Sequence, residues 1–134
     1  MDGGLVPMEL PIADSITSLL RTFLDVQSRR AELASSNIAN SETPGYTAKE
    51  LDFAAFLRRA AQDALAPRAA REPIAAAQPR VRLQGQAPLR LDGNNVDLAR
   101  EMATLAEAGT QFLTGVQLLQ ARLRLLRTAI REGR

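Results

Sequence analysis

Ser41 and Lys49 are the nearest this chain comes to a nucleophile with a base, and the Pro44-Gly45 turn lies between them. Nucleophilic catalysis needs the base held within hydrogen-bond reach of the hydroxyl, and nothing in that spacing brings it there. The chain has no Cys and no His, which removes thiol nucleophiles, imidazole acid–base chemistry, disulfides and zinc sites built on those residues. No Gly-rich phosphate loop is visible, and no pair of carboxylates stands apart from ordinary helix surface. No catalytic residue, cofactor or metal ligand is therefore expected. The polar residues that stand out are four asparagines, Asn37, Asn40, Asn94 and Asn95, each next to a turn or a helix end.

The elements that must position them read from apolar spacing. From residue 12 to 40, Ile12, Ile16, Leu19, Phe23, Val26 and Leu33 recur in alternating steps of four and three, with Arg30 and Asn37 in the remaining seam places. That is a heptad pattern and predicts a long helix. Asp14 or Ser15 suits an early cap, and the helix should stop before Thr43-Pro44-Gly45, where Pro lacks an amide donor and Gly permits left-handed geometry. The clearest segment is 96–131. Leu98, Met102, Leu105, Gly109, Phe112, Val116, Leu119, Leu123, Leu126 and Ile130 keep the four–three alternation without a break. Asn95 suits its N-cap, Asp97 and Glu101 its positive start, and Arg122, Arg124, Arg127 and Arg131 its negative end. Such a helix would run roughly 50 Å.

Between these helices the pattern weakens. Residues 41–66 read as a turn followed by an arm or shorter amphipathic helix, with Leu51, Phe53, Phe56, Leu57 and Ala60 on one face. Residues 67–79, with Pro67, Pro73, Pro79 and many Ala, read as a linker. In 80–95, Val81 and Leu83, then Leu89 and Leu91, alternate around Gly85 and Pro88, which fits two strands of a short β-hairpin. Asp92-Gly93-Asn94-Asn95 then forms a turn. The fold class is thus mainly α: long N- and C-terminal helices packed as an antiparallel coiled-coil-like pair, a Pro- and Gly-rich middle, and a short hairpin, all in one domain.

Apolar residues make up 46% of the 134, so the chain as a whole is not compositionally disordered. Aromatics are 4%, which favours helix seams over a large globular core. Each long helix carries apolar residues beside its seam, such as Leu20, Leu24, Leu113, Leu118 and Leu125. Stripes that wide want more than one neighbour, so assembly is expected. The pI is near 9.9 but the formal charge is only +2. The Arg residues beyond Gln117 form no clean stripe and have no interleaved aromatics, so no nucleic-acid partner is expected. No apolar run of transmembrane length occurs, and the acidic N-terminal segment has no basic n-region. Neither membrane insertion nor a cleavable signal peptide is expected.

Ser36-Asn37-Ile38-Ala39-Asn40 followed by Ser41-Glu42-Thr43-Pro44-Gly45-Tyr46 resembles the N-terminal motif of the flagellar axial family of rod and hook proteins. Lys49-Glu50-Leu51-Asp52-Phe53, Asp92-Gly93-Asn94-Asn95-Val96-Asp97-Leu98 with Glu101-Met102, and the ending Leu126-Arg127-Thr128-Ala129-Ile130 resemble its proximal rod members, as does the short length. The resemblance implies a structural subunit of the basal-body rod that spans the periplasm, exported by the flagellar type III apparatus. Its partners would be copies of itself, other rod subunits, an adaptor protein at the rod base and the membrane-ring protein. Terminal helices would polymerise to transmit torque and enclose the export channel.

Several residues carry two readings each. Asn37 and Asn40, one turn apart, either cap the last helical turn or hydrogen-bond between subunits. Tyr46 either anchors the following arm or sits in a plain loop. Gly109 either admits a close helix or is tolerated by chance. Arg30 either extends its stem to solvent or pairs with a neighbouring subunit's carboxylate. The alternative to the rod reading is a generic coiled-coil adaptor or type III secreted protein, which would have no need of the Asn-rich blocks.

Overall fold

The computed structural model describes residues 10–65, 79–85 and 88–132. The expected linker, Pro79 apart, lies outside the described residues, as do the side chains of Ile12, Leu57 and Ala60. The chain order is α1 (Leu10–Ala39), β1 (Lys49–Leu51), α2 (Phe53–Leu65), β2 (Val81–Leu83) and α3 (Leu98–Glu132).

The two long helices pack against each other, and the order of their contacts makes them antiparallel. Asn37 meets Glu101, Arg30 meets Glu107, and Phe23 and Leu24 lie against Gly115. α1 already includes Leu10, so Asp14 and Ser15 lie inside the helix and do not cap it. Pro11 is compatible with that start, because a first-turn residue has no intrahelical use for an amide hydrogen. At the other end the ladder tightens: the Asn40 amide donates to Ser36 O at 3.1 Å and to Asn37 O at 3.2 Å, and Gly45 turns the chain at φ 70°.

The strand pairing differs from the expected hairpin. β2 pairs antiparallel with β1, Glu50 opposite Arg82, and residues 88–91 form no strand. Glu50 and Arg82 form an ion pair at 2.7 Å across the ladder, a charge complement that Arg90 could not give Arg82. Beyond β1, Asp52 Oδ1 accepts the Ala55 amide at 3.0 Å and so starts α2, on which Phe53 and Phe56 stack with centroids 6.0 Å apart.

α3 starts later than expected, and its cap is Asp97. Asp97 Oδ1 accepts the Arg100 amide at 3.1 Å and its carbonyl accepts the Glu101 amide at 2.9 Å. Asp97 combines a capping oxygen with a negative charge at the positive helix end. Asn95 is released for another role.

The core between the helices is narrow. Among the described residues the buried apolar side chains are Val26, Leu33, Ala34, Ala48, Val96 and Ala108, three of them alanines. Small side chains at the contact let the helix backbones approach, so little volume is enclosed. No described helix is long and apolar enough to cross a membrane.

Candidate functional site

Where α1 ends and α3 begins, four segments converge on Asn37, which is fully buried. Its amide nitrogen donates to Lys49 O at 2.8 Å and to Glu101 Oε2 at 2.9 Å. Its Oδ1 accepts from the Lys49 amide at 3.0 Å and from the Tyr46 hydroxyl at 3.1 Å. Every hydrogen-bonding position of the side chain is used. Toward Lys49 the carboxamide behaves like one more peptide group on the free edge of β1, donating and accepting as a neighbouring strand would. Neither expected role of Asn37 matches: it holds this chain to itself, neither closing its own helix nor reaching out of the molecule.

Glu101, in the first turn of α3, is buried with it. Its second oxygen accepts from Gln84 Nε2 at 3.1 Å, just past β2. The carboxylate thus ends α1, β2 and α3 at one point, and amide dipoles surround the charge. Gln84 Oε1 is buried without a hydrogen-bond partner.

Asn95 repeats the strand-like device at the end of the sheet. Its Oδ1 accepts the Ala48 amide at 2.6 Å and its Nδ2 donates to Gln84 O at 2.7 Å, so the carboxamide fills the gap where the two strands part. Asn94, also fully buried, donates to the carbonyls of Asn40 and Thr43 at 3.0 and 2.8 Å, and its Oδ1 accepts the Val96 amide at 2.8 Å. It therefore satisfies the end of α1, not the start of α3. Asn40 stays local, donating to Ser36 O at 2.8 Å. Gly45 donates its amide to Asp92 O at 2.8 Å, and a Cβ on Gly93 (φ 78°) would stand 3.4 Å from Gly45 Cα. The two turns thus touch through their glycines, with Pro44 exposed beside them. Tyr46 is the anchor of its arm, half-buried with its hydroxyl bonded.

The seam residues divide. On α1, Val26 and Leu33 are buried and Phe23 is half-buried, whereas Ile16 and Leu19 are exposed. On α3 the buried residues are Glu101, Ala108 and Gly115, seven apart. They form a stripe beside the expected one. Leu105, Val116, Leu119 and Leu126 share its edge and are half-buried, while Leu98, Met102, Phe112, Leu123 and Ile130 are exposed. Gly115 supplies the close approach: a Cβ there would lie 2.8 Å from Leu24 Cδ2 and 3.0 Å from Phe23 Cδ1. A Cβ on Gly109 would meet nothing within 4 Å, so Gly109 serves no contact among the described residues. Arg30 pairs with Glu107 of its own α3 at 3.2 Å.

Sequence reasoning missed Glu101, Gln84, Ala48, Ala108 and Gly115 as a set. The seven-residue spacing of Glu101, Ala108 and Gly115 is the available signal, and the larger apolar residues beside it mask it. Among the described residues no cluster of carboxylates suited to a metal occurs.

No family model matches the chain. Curated relatives do. The flagellar basal body rod protein FlgB of Cereibacter sphaeroides is 37% identical over 114 residues, covering 81% of this chain and 88% of that protein. FlgB of Escherichia coli is 30% identical over 122 residues, covering 82% and 88%. That of Yersinia enterocolitica is 29% identical, covering 82% and 89%.

Proposed function

The chain belongs to the family of flagellar basal body rod proteins FlgB, and we propose that its uncovered helix faces are the contacts through which it joins the rod. It is a structural component of the proximal rod of the flagellar basal body. Assembly with other rod proteins follows from that place. The finer reading is that the terminal helices pack with copies of this chain and with other rod subunits. In the same reading the rod-base adaptor and the membrane-ring protein are further partners, and the flagellar type III apparatus delivers the chain. Its work is mechanical, not catalytic: repeated helix contacts carry torque and surround a channel.

One observation carries this reading. The junction at one end uses Asn37, Asn94 and Asn95 to bond segments of the same chain, while apolar residues along α3 from Leu98 to Ile130 face water. An exposed apolar face of that length marks an interaction surface. Tyr46, Asn37, Asn94 and Asn95 then act indirectly, by fixing the angle at which α1 and α3 present those faces.

The test is basal-body imaging and motility in a bacterium lacking the gene, complemented by the intact chain or by Leu123→Asp. Leu123 is exposed, so the variant keeps the helix pair while placing a charge on the face. We expect no rod without the gene and none with the variant. Rods built in the deletion strain would refute the rod role, and rods built with Leu123→Asp would remove this face from the contacts.

A further inference from the structure

Gly109 and Gly115 lie on one helix in opposite surroundings: Phe23 and Leu24 crowd Gly115, and Gly109 faces open space. A glycine inside an exposed helix costs about 1 kcal/mol relative to alanine. At Gly115 the close packing of α1 offsets that cost. At Gly109 nothing among the described residues does.

The rest of α3 suggests what fills the notch. Met102, Gly109, Val116 and Leu123 form one line, seven apart, on one side of the stripe that α1 covers. Leu118 and Leu125, 54% and 68% exposed, stand on the other side, also seven apart. Leu118 is nine residues from Gly109, or two and a half turns, so notch and knob point in opposite directions. A surface of this kind cannot complement itself across a two-fold axis. It can complement the opposite flank of another copy, and such heterologous contacts propagate without closing. Both pairs agree on one stagger: nine residues separate Leu118 from Gly109 and Leu125 from Val116, an axial offset of about 14 Å.

Charge points to α3 as the occupant. From Met102 to Gln120 the only charged residue is Glu107, and Arg30 holds it. The outer positions of α1 are Arg21, Asp25, Arg29 and Glu32, all exposed, and they would lose hydration against an uncharged neighbour.

We propose that Gly109 is a notch that receives Leu118 from the α3 of a second copy, lying parallel and shifted by nine residues, with Leu125 over Val116. The proposal rests on the rod reading and specifies one contact within it. It makes the missing side chain at 109 a determinant of how neighbouring copies nest.

The chain has no cysteine, so introduced ones report contacts cleanly. Basal bodies from cells carrying Gly109→Cys with Leu118→Cys should give a ladder of disulfide-linked chains on oxidation, and neither single variant should. A dimer from Gly109→Cys alone would mean a two-fold contact and overturn the proposal. So would linkage of Gly109→Cys to Leu125→Cys in place of Leu118→Cys, or the absence of any ladder. Independently, Gly109→Leu should slightly raise the thermal stability of the purified chain, since it removes a helix-interior glycine, yet abolish rods, and adding Leu118→Ala should restore them. Normal rods with Gly109→Leu, or no rescue, would also overturn it. If rods form without the gene, the failure belongs to the rod reading instead.

Discussion

The two ends of the helix pair are built on different principles. At the junction, polar groups are buried and paired within the chain: Asn37, Asn94, Asn95 and Glu101 join segments distant in sequence. Toward the start of α1 and the end of α3 the contact is thin, with Ile16, Leu19, Leu123 and Ile130 exposed, and two polar groups there bind no distant segment: Thr22 donates to Ser18 O of its own helix, and the buried Arg122 Nε has no hydrogen-bond partner among the described residues. A buried polar group accepts few partners because geometry and count must both be right, so it fixes one arrangement. An apolar stripe is tolerant and can be shared with whatever complements its shape. One end therefore defines the subunit, and the other carries the faces proposed above for its neighbours.

That contrast can be broken most forcefully at Asn37. Asn37→Leu should cost more than about 3 kcal/mol in urea unfolding, because Lys49 and Tyr46 each lose a partner and the buried Glu101 carboxylate loses one that water cannot replace. A cost below that of a surface substitution would mean that the junction is not the organising end. Next comes Gly115→Leu, expected to cost about 1–3 kcal/mol by forcing α1 away, whereas Gly109→Leu should stabilise the free chain by up to about 1 kcal/mol through helix propensity alone. Equal effects at the two glycines would erase the distinction between a filled and an open face.

Glu101→Gln is a finer test, expected to cost about 1 kcal/mol or less. Its new amide can donate to Gln84 if the Gln84 carboxamide turns its unpaired Oε1 inward. Glu101→Ala has no such remedy and should be clearly worse in the same assay. The smallest effect belongs to the rim. Arg30→Ala should change stability by no more than about 1 kcal/mol, since Glu107 is largely exposed. In the free chain, amide exchange should be slowest near Leu33–Asn37 and Glu101–Ala108 and fastest toward the far ends of α1 and α3. Uniform protection along both helices would contradict the division.

The helices were legible in the sequence because period and apolar size speak locally. What escaped depends on partners far along the chain. Lys49–Leu51 looks like the approach to a helix, and only Arg82 opposite Glu50 makes it a strand. Asn95 has the right chemistry for a cap, but Ala48 and Gln84 claim it, and Asp97 takes the role. Gly109 drew attention for interrupting an apolar run, while Gly115 did the packing, because a glycine's value lies in the atoms opposite it. Asn37 stands out by type, but its pairing with Lys49 does not, since a side chain that completes a strand edge cannot be recognised before the strand is.

The Asn37–Glu101 hydrogen bond spans 64 positions of sequence. A chain that emerges end-first from a narrow conduit, from either terminus, cannot close this bond until both residues are out. Long-range closure of this kind comes late and slowly in folding. If the flagellar type III apparatus delivers the chain, as proposed above, the subunit travels without its defining joint and acquires its shape at the place of arrival.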